Sequence, residues 1–265
     1  MSSLLCNSEA WYNVTKSELD YLETVDLMLL RNILKAPKST PKEMLYLELG
    51  CIPFREIIRK RRLSFLFYIL HEDTNSMVYR FFETQLRNKT PSKDWISTVL
   101  QDLEDLQVSD NFEDIKVIKK STFMRMIKQK VEEKAFKYLE NLKTSHSKVM
   151  KIKHKSLKMQ KYLKPNALQI SQSESQLIFK LRCRMTDVKV NMKGIYDTYE
   201  CNLCKKEEES QEHILTCIEI RNMKSDTDSM IKYDNLFNGK VNDQVEIARV
   251  FKENTKIKER ILNKK

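Results

Sequence analysis

CNLCKKEEESQEHILTC, residues 201–217, places four metal-binding side chains in one short stretch of the chain. The pattern is Cys-x2-Cys-x8-His-x3-Cys, and the candidate ligands are Cys201, Cys204, His213 and Cys217. A Cys-x2-Cys turn directs two thiolates at one ion, and residues 213 and 217 share a face if 211–223 is a helix. The stretch therefore predicts a closed tetrahedral metal site.

Three sulfur ligands and one imidazole favour zinc over calcium or magnesium, and a filled fourth position leaves no place for an activated water. We predict one structural zinc ion and no catalytic residues. The alternative is that Cys201 and Cys204 are ordinary reduced thiols, His213 is a solvated helix residue and Cys217 is a small core residue.

The composition predicts a mostly α fold. Only 3 glycines and 5 prolines occur in 265 residues, which argues against a turn-rich β protein. Frequent Leu, Lys, Glu and Met favour helices. We expect a multi-helix N-terminal domain and a small C-terminal helical subdomain that a structural zinc ion holds together.

The formal net charge of +11 favours a polyanionic partner, with RNA or DNA as the first candidate. No apolar run reaches the roughly 18 residues that span a bilayer, and no secretion signal is recognisable. We therefore expect an intracellular protein, in the nucleus or the cytoplasm, with neither a membrane nor a small-molecule substrate as partner.

Apolar periodicity and capping patterns place the helices. Thr15 and Glu18 form one predicted capping box, and Thr40 and Glu43 form a second. Asp94 or Ser92 is expected to be the N-cap of the 94–107 helix. The predicted helices span 15–35, about 41–50, 53–71, 75–88, 94–107, 121–162, 176–185, 211–223, 225–237 and 242–263.

The densest arginine group of the chain lies at the start of the 53–71 helix. Guanidinium groups match the geometry of phosphate, so these side chains are candidate nucleic-acid contacts. The alternative is a solvated or salt-bridged helix face. The group comprises Arg55, Arg59, Lys60, Arg61 and Arg62.

A second basic region runs from Lys143 to Lys164, with eight lysines and no acidic residue. Such a helix can follow a phosphate backbone, where it displaces counterions. The alternative is a helix that is merely soluble. The candidate nucleic-acid contacts are Lys148, Lys151, Lys153, Lys155, Lys158 and Lys161.

The polar, serine-rich stretch 165–175 is the predicted linker. It would separate an N-terminal domain, residues 1–164, from a zinc-binding domain, residues 176–265. We expect the helix after the linker to be capped by Ser173 and Gln176. The acidic loop between the metal ligands is a poor phosphate contact, so nucleic-acid binding is expected on the basic helices.

One block of the sequence resembles a known family. Residues 8–63 are similar to the region downstream of the polymerase core in non-LTR retrotransposon reverse transcriptases, namely the end of the thumb and the helical connector; they read SEAWYNVTKSELDYLETVDLMLLRNILKAPKSTPKEMLYLELGCIPFREIIRKRRL. Those polyproteins also carry a C-terminal Cys/Cys/His/Cys zinc element, whose order and residue types the four ligands match. The resemblance implies binding of template RNA or target DNA.

The Tyr-x-Asp-Asp motif of that family occurs nowhere in the chain. The resemblance therefore implies a fragment without the polymerase core, and we expect no enzymatic activity. Asp102, Glu104 and Asp105 are interpreted as solvated helix residues and not as an acidic metal site. Two further hypotheses remain, a protein-interaction scaffold with a structural zinc, and a polymerase or nuclease fragment with residual activity.

Overall fold

The structure is a computed structural model that describes residues 5–88, 94–146, 149–150, 152–164, 170–192, 194–223 and 232–263. Within these ranges the regular structure is helical, apart from an isolated antiparallel bridge between Glu200 and Glu208. The predicted mostly α fold class is confirmed. No helix in the described ranges is both long enough and apolar enough to cross a membrane.

The helices are numbered in chain order. They are α1 (Lys16–Leu34), α2 (Lys42–Leu49), α3 (Phe54–Leu70), α4 (Met77–Arg87), α5 (Trp95–Asp105), α6 (Phe112–Val117), α7 (Lys120–Thr144), α8 (Gln172–Arg182), α9 (Gln211–Thr216), α10 (Ile218–Arg221), α11 (Asn235–Asn238) and α12 (Val241–Leu262). Short 3-10 turns lie at Ser8–Ala10, Lys161–Leu163 and Lys189–Asn191.

The chain divides into two compact units. The first comprises Met1–Met28 and Cys51–Glu140, and the second comprises Leu29–Gly50 and Asn141–Lys265. This division differs from the predicted one, which kept residues 1–164 together. In the second unit, α2 is joined to the C-terminal part of the chain by contacts that include a buried ion pair between Glu48 and Arg182 of α8, at 3.0 Å. Local sequence patterns carry no information on such a pairing.

The first unit is organised around α3, which contacts the Ser8–Ala10 turn, α4, α5 and α6. α3 begins after Pro53 and ends before His71, as the sequence predicts, because proline is well tolerated where a helix starts. Its residues Leu63, Leu66 and Phe67 are buried in the core of this unit. Removal of their apolar surface from water stabilises the unit.

Polar caps fix the start of two helices as predicted. Glu18 Oε2 accepts a hydrogen bond from the Thr15 backbone N–H at 2.8 Å, and the Glu18 N–H donates to Thr15 Oγ1 at 3.3 Å. In α5, Asp94 Oδ1 accepts from the Ser97 N–H at 2.7 Å. These side chains satisfy N–H groups that lack a partner within the helix.

The second predicted capping box is absent. Pro41 occupies the N-cap of α2 without a side-chain hydrogen bond, and the side chains of Thr40 and Glu43 are buried. Seven of the eight residues of α2, all except Lys42, are buried, so packing in the second unit, and not capping, positions this short helix.

The predicted linker overlaps the start of α8. Residues 165–169 lie outside the described residues, and α8 begins at Gln172. Ser171 and Glu174 form the capping box, with the Ser171 N–H donating to Glu174 Oε2 at 2.8 Å. The prediction that Ser173 starts this box is wrong by two residues, because Ser171 provides the same S-x-x-E spacing.

Three other predicted helices have different limits. α7 ends at Thr144 and does not continue to residue 162. The helix predicted at 211–223 is interrupted at Cys217. Residues 225–231 of the predicted 225–237 helix lie outside the described ranges, and its described part contains only the short α11. α12 closely follows the predicted 242–263 helix.

Candidate metal centre

The first ligand pair lies on a tight hairpin in the second unit. The Cys201 N–H donates to the Glu207 carbonyl at 2.8 Å, and the Lys205 N–H donates to the Cys201 carbonyl at 3.0 Å. Lys205 adopts a left-handed conformation with φ 57°, which allows the chain to reverse immediately after Cys204. The Cys-x2-Cys spacing therefore folds into a turn that brings both thiols to one side.

The second pair comes from α9 and its end. Ser210 caps α9 by accepting a hydrogen bond from the His213 N–H at 3.0 Å. Cys217 follows the helix with φ −55° and ψ 123°, and its N–H donates to the His213 carbonyl at 2.7 Å. Because this bond continues the i-to-i−4 pattern of the helix and φ is still helical, His213 and Cys217 share one face of the last turn, although the helix ends at Cys217 and does not continue to residue 223.

The four ligand atoms converge within 4.8 Å of one another. Cys201 Sγ and Cys217 Sγ are 4.0 Å apart, and Cys204 Sγ lies 3.4 Å from His213 Nε2. Sulfurs bound tetrahedrally to zinc at roughly 2.3 Å would be about 3.8 Å apart, whereas a disulfide requires roughly 2 Å. All three cysteines are free thiols. The donor set and its spacing fit one zinc ion.

His213 is oriented by Glu207. The Nδ1 atom of His213 lies 2.9 Å from Glu207 Oε2, and this contact directs Nε2 toward the three sulfurs. A carboxylate that accepts from the far nitrogen of a metal-bound histidine fixes the tautomer and raises the basicity of the ligand. In the sequence, Glu207 is only one member of an acidic loop, and its spacing from His213 gives no signal of this role.

Backbone N–H groups surround two of the thiols. Burial raises the pKa of Cys204, but hydrogen bonds from the N–H groups of Lys206 and Glu207 outweigh it and bring that pKa down to about 7. Burial, together with the neighbouring Cys201, raises the pKa of Cys217 to about 11. A bound zinc ion would hold these sulfurs as thiolates. Because Cys201, Cys204, His213 and Cys217 would fill all four positions of such an ion, it would cross-link the hairpin to α9 and would leave no position for an activated water.

α12 packs against the hairpin and α9. Glu209 is buried and pairs with Lys258 of α12 at 2.6 Å. The Asn254 side chain donates to the Ile214 carbonyl of α9 at 2.8 Å. The candidate metal centre is thus a part of the packed second unit.

Arg59 and Arg62 are occupied by carboxylates of the first unit. Arg59 Nε and Arg62 Nε contact the two oxygens of Asp102 at 2.9 and 2.7 Å. Arg59 also pairs with Glu56 at 2.7 Å and with Asp105 at 2.6 Å. Both arginine side chains are only 9% exposed, so the structure removes them from the predicted phosphate contacts. Asp102 and Asp105 are their partners and not merely solvated residues.

The other three members of the arginine group differ among themselves. Arg61 is half-buried, and its guanidinium donates to the Leu5 carbonyl and to Ser8 Oγ. Lys60 is half-buried, and Arg55 is exposed. Of the predicted contacts on α3, Arg55 is therefore the most accessible to a phosphate.

Among the predicted lysine contacts, Lys148 and Lys151 lie outside the described residues. The other four are exposed, and Lys164 is exposed as well. They do not lie on an α-helix, because α7 ends at Thr144, residues 152–160 have no regular secondary structure and Lys161 begins a short 3-10 turn. The four are Lys153, Lys155, Lys158 and Lys161.

The chain matches no protein-family model, no curated protein and no solved structure.

Proposed function

We propose that this chain is a non-catalytic nucleic-acid-binding protein whose second unit is stabilised by one structural zinc ion. One observation carries the proposal. Five lysines at positions 153, 155, 158, 161 and 164 are exposed, and none of their ammonium groups forms an ion pair with another described residue.

Buried side chains hold the backbone of this segment. Ile152, Leu157 and Tyr162 are at most 8% exposed, while the lysines between them face solvent. We define residues 152–164 as the lysine strap. A fixed backbone with outward ammonium groups can neutralise successive phosphates and release their counterions.

The proposed ligand is the phosphodiester backbone of RNA or DNA. The two aromatic side chains of the strap, His154 and Tyr162, are buried and so offer no surface on which a base could stack. Contacts to phosphates carry no sequence information, so binding should be independent of sequence. An origin in a retrotransposon reverse transcriptase stays part of the proposal and rests on the two sequence blocks alone.

A salt titration with a matched variant tests the proposal. We would measure binding of zinc-loaded protein to a labelled single-stranded RNA, a duplex DNA and a nicked duplex between 50 and 200 mM salt. Changing all five strap lysines to glutamine should weaken binding. It should also reduce the salt slope on duplex DNA by up to about 4.5, because each of the five phosphate contacts contributes roughly 0.9.

The control carries the same loss of charge at exposed lysines outside the strap, namely Lys119, Lys120, Lys137, Lys252 and Lys256. Under the proposal this control keeps most of the affinity. Equal weakening in both variants would show that net charge, and not the strap, drives association. If the wild-type protein does not bind at low salt, or if its binding ignores salt, the proposal is wrong.

A protein-interaction scaffold is the second candidate, and an apolar groove in the first unit favours it. The groove has a volume of about 430 Å³ and is lined by residues that include Tyr12, Phe65 and Phe81. Phe81 is 64% exposed, and Met77 is 86% exposed. Co-purification of a single protein that resists nuclease and moderate salt would favour this candidate over nucleic-acid binding.

A further inference from the structure

Glu48, in the last turn of α2, is completely buried and contacts three residues of the lysine strap. Its Oε2 atom accepts from the Tyr162 hydroxyl at 2.7 Å. Its Oε1 atom lies 3.1 Å from His154 Nε2. The Gln160 N–H also donates to the Glu48 carbonyl at 2.9 Å. Side-chain and backbone contacts to one residue thus hold the strap at three points.

Arg182 completes the charge balance of this cluster. Its Nη2 and Nε atoms contact Glu48 Oε1 at 3.0 and 3.1 Å, and Nη1 donates to the Leu236 carbonyl at 2.7 Å. Burial alone would raise the pKa of Glu48, but Arg182, His154 and Tyr162 lower it to about 2. Glu48 is therefore ionised at neutral pH inside the second unit.

The strap also passes directly over Gly50. A Cβ atom at this position would lie 2.1 Å from the Met159 nitrogen and 2.4 Å from the Lys158 carbonyl carbon. Gly50 has φ 65°, a left-handed conformation that closes α2 and that other residues adopt at a cost. Any side chain here would push the strap backbone away, because backbone atoms cannot rotate aside.

We propose that Glu48 is a positioning residue for nucleic-acid binding. It holds the strap in a preformed conformation, so that the lysines do not have to be ordered when a phosphodiester backbone binds. Pre-organisation of this kind raises affinity without any new contact to the ligand. The inference rests on the proposed function and extends it by naming what sets the geometry of the binding segment.

The effect of Glu48→Gln on binding distinguishes a positioning role from a simple effect of net charge. Glu48→Gln removes one negative charge, so simple electrostatics predicts tighter binding to RNA or DNA. Loss of positioning predicts weaker binding. Glu246→Gln makes the same charge change at an exposed residue of α12 and serves as the control.

Two further variants test the same point without changing the charge. Gly50→Ala displaces the strap backbone, and Tyr162→Phe removes only the hydroxyl that contacts Glu48. We expect each of the three variants to weaken binding of a labelled single-stranded RNA about tenfold or more at low salt. Zinc content and the circular dichroism of helices would establish that each variant is folded.

Limited trypsin digestion reports on the strap independently of any ligand. Cleavage after Lys153, Lys155 and Lys158, followed by mass spectrometry, should be at least about tenfold faster in Glu48→Gln and Gly50→Ala than in wild type and Glu246→Gln, because a protease needs a locally opened chain. If Glu48→Gln does not fold, Gly50→Ala and Tyr162→Phe decide the question by both measurements.

The outcomes separate the two proposals. If the strap is cleaved faster in the variants but the wild type does not bind RNA or DNA, the nucleic-acid proposal is refuted and Glu48 has only a structural role. Normal binding and unchanged cleavage in the folded variants would refute the positioning role and leave the proposed function intact. Binding of the wild type to anionic lipid vesicles but not to RNA or DNA would reject both.

Discussion

Replacing Asp102 with asparagine tests the assignment of Arg59 and Arg62 to the fold of the first unit. In the structure, the two oxygens of Asp102 each accept from one of these guanidinium groups, at 2.9 and 2.7 Å. The Asp102 side chain is 6% exposed. The substitution keeps the shape of the side chain and removes its charge.

The expected loss of stability follows from burial. Removing one partner of a buried ion pair costs about 3–5 kcal/mol, because the remaining charge is left buried without compensation. Asparagine retains one oxygen that can accept a hydrogen bond, and Glu56 and Asp105 still pair with Arg59. We therefore expect the lower end, about 3 kcal/mol. With a urea dependence of about 2 kcal/mol per molar, the unfolding midpoint should fall by about 1.5 M.

Tryptophan fluorescence is the appropriate assay. The chain has 2 tryptophans, Trp11 and Trp95, and both lie in the first unit. Trp95 is 7% exposed, and its indole N–H donates to the Glu9 carbonyl at 2.8 Å. Its emission during urea titration therefore reports on unfolding of the unit that contains Asp102.

Glu104→Gln is the matched control. Glu104 lies on the same helix, α5, carries the same charge and is exposed. Its loss should change the free energy of unfolding by less than about 1 kcal/mol, as is usual for exposed charges. If Asp102→Asn is no more destabilising than this control, the buried ion pairs do not hold the first unit together and the arginines regain their place as candidate phosphate contacts.

Three further predictions concern the second unit. Elemental analysis should find about one zinc per chain. Cys204→Ser should lower the zinc content and the helix content, without changing the urea unfolding midpoint measured by tryptophan fluorescence, which reports on the first unit. A metal-free wild type that is fully folded would contradict the zinc assignment. Glu207→Gln should weaken zinc affinity about 10–100-fold, measured in competition with a chromophoric chelator, because it changes the carboxylate that contacts His213. Glu208→Gln, at an exposed neighbouring residue, should leave the affinity unchanged. Equal zinc affinities of Glu207→Gln and wild type would exclude the Glu207–His213 contact as a support of the site. The pKa of Glu48 is lowered from 4.5 to about 2, so its ionised form stabilises the fold above pH 4.5, and about 3 kcal/mol of that stability is lost as the pH falls from 4.5 to 2. In urea unfolding followed by circular dichroism, the free energy of unfolding should therefore fall less steeply with decreasing pH in Glu48→Gln than in wild type. An identical pH dependence in the two proteins would rule out the buried pairing.

Local features were predictable from the sequence. The Cys/Cys/His/Cys spacing identified four side chains that the structure brings within 4.8 Å. The Thr15 and Asp94 caps were recognised because a capping side chain bonds to a backbone N–H only two or three residues away. Helical content followed from composition and periodicity for the same reason, since each depends on neighbours in the chain.

The role of a charged residue was not predictable in this way. Arg62 and Arg55 look alike in sequence, yet Arg62 pairs with a carboxylate 40 positions away and Arg55 is exposed. Glu48 gave no signal at all, because its partner Arg182 lies 134 positions away. Only tertiary packing determines which charged side chains form ion pairs and are removed from solvent.

The helical class, the capped starts of α1 and α5 and the identity of the candidate metal ligands follow from the sequence, because all of these depend on contacts between near neighbours in the chain. The tertiary structure decided which basic residues are exposed, how the chain divides into units and why the lysine strap is fixed without being helical. The physical reason is that burial and ion pairing are properties of residues distant in the chain, and no short window of sequence contains both partners.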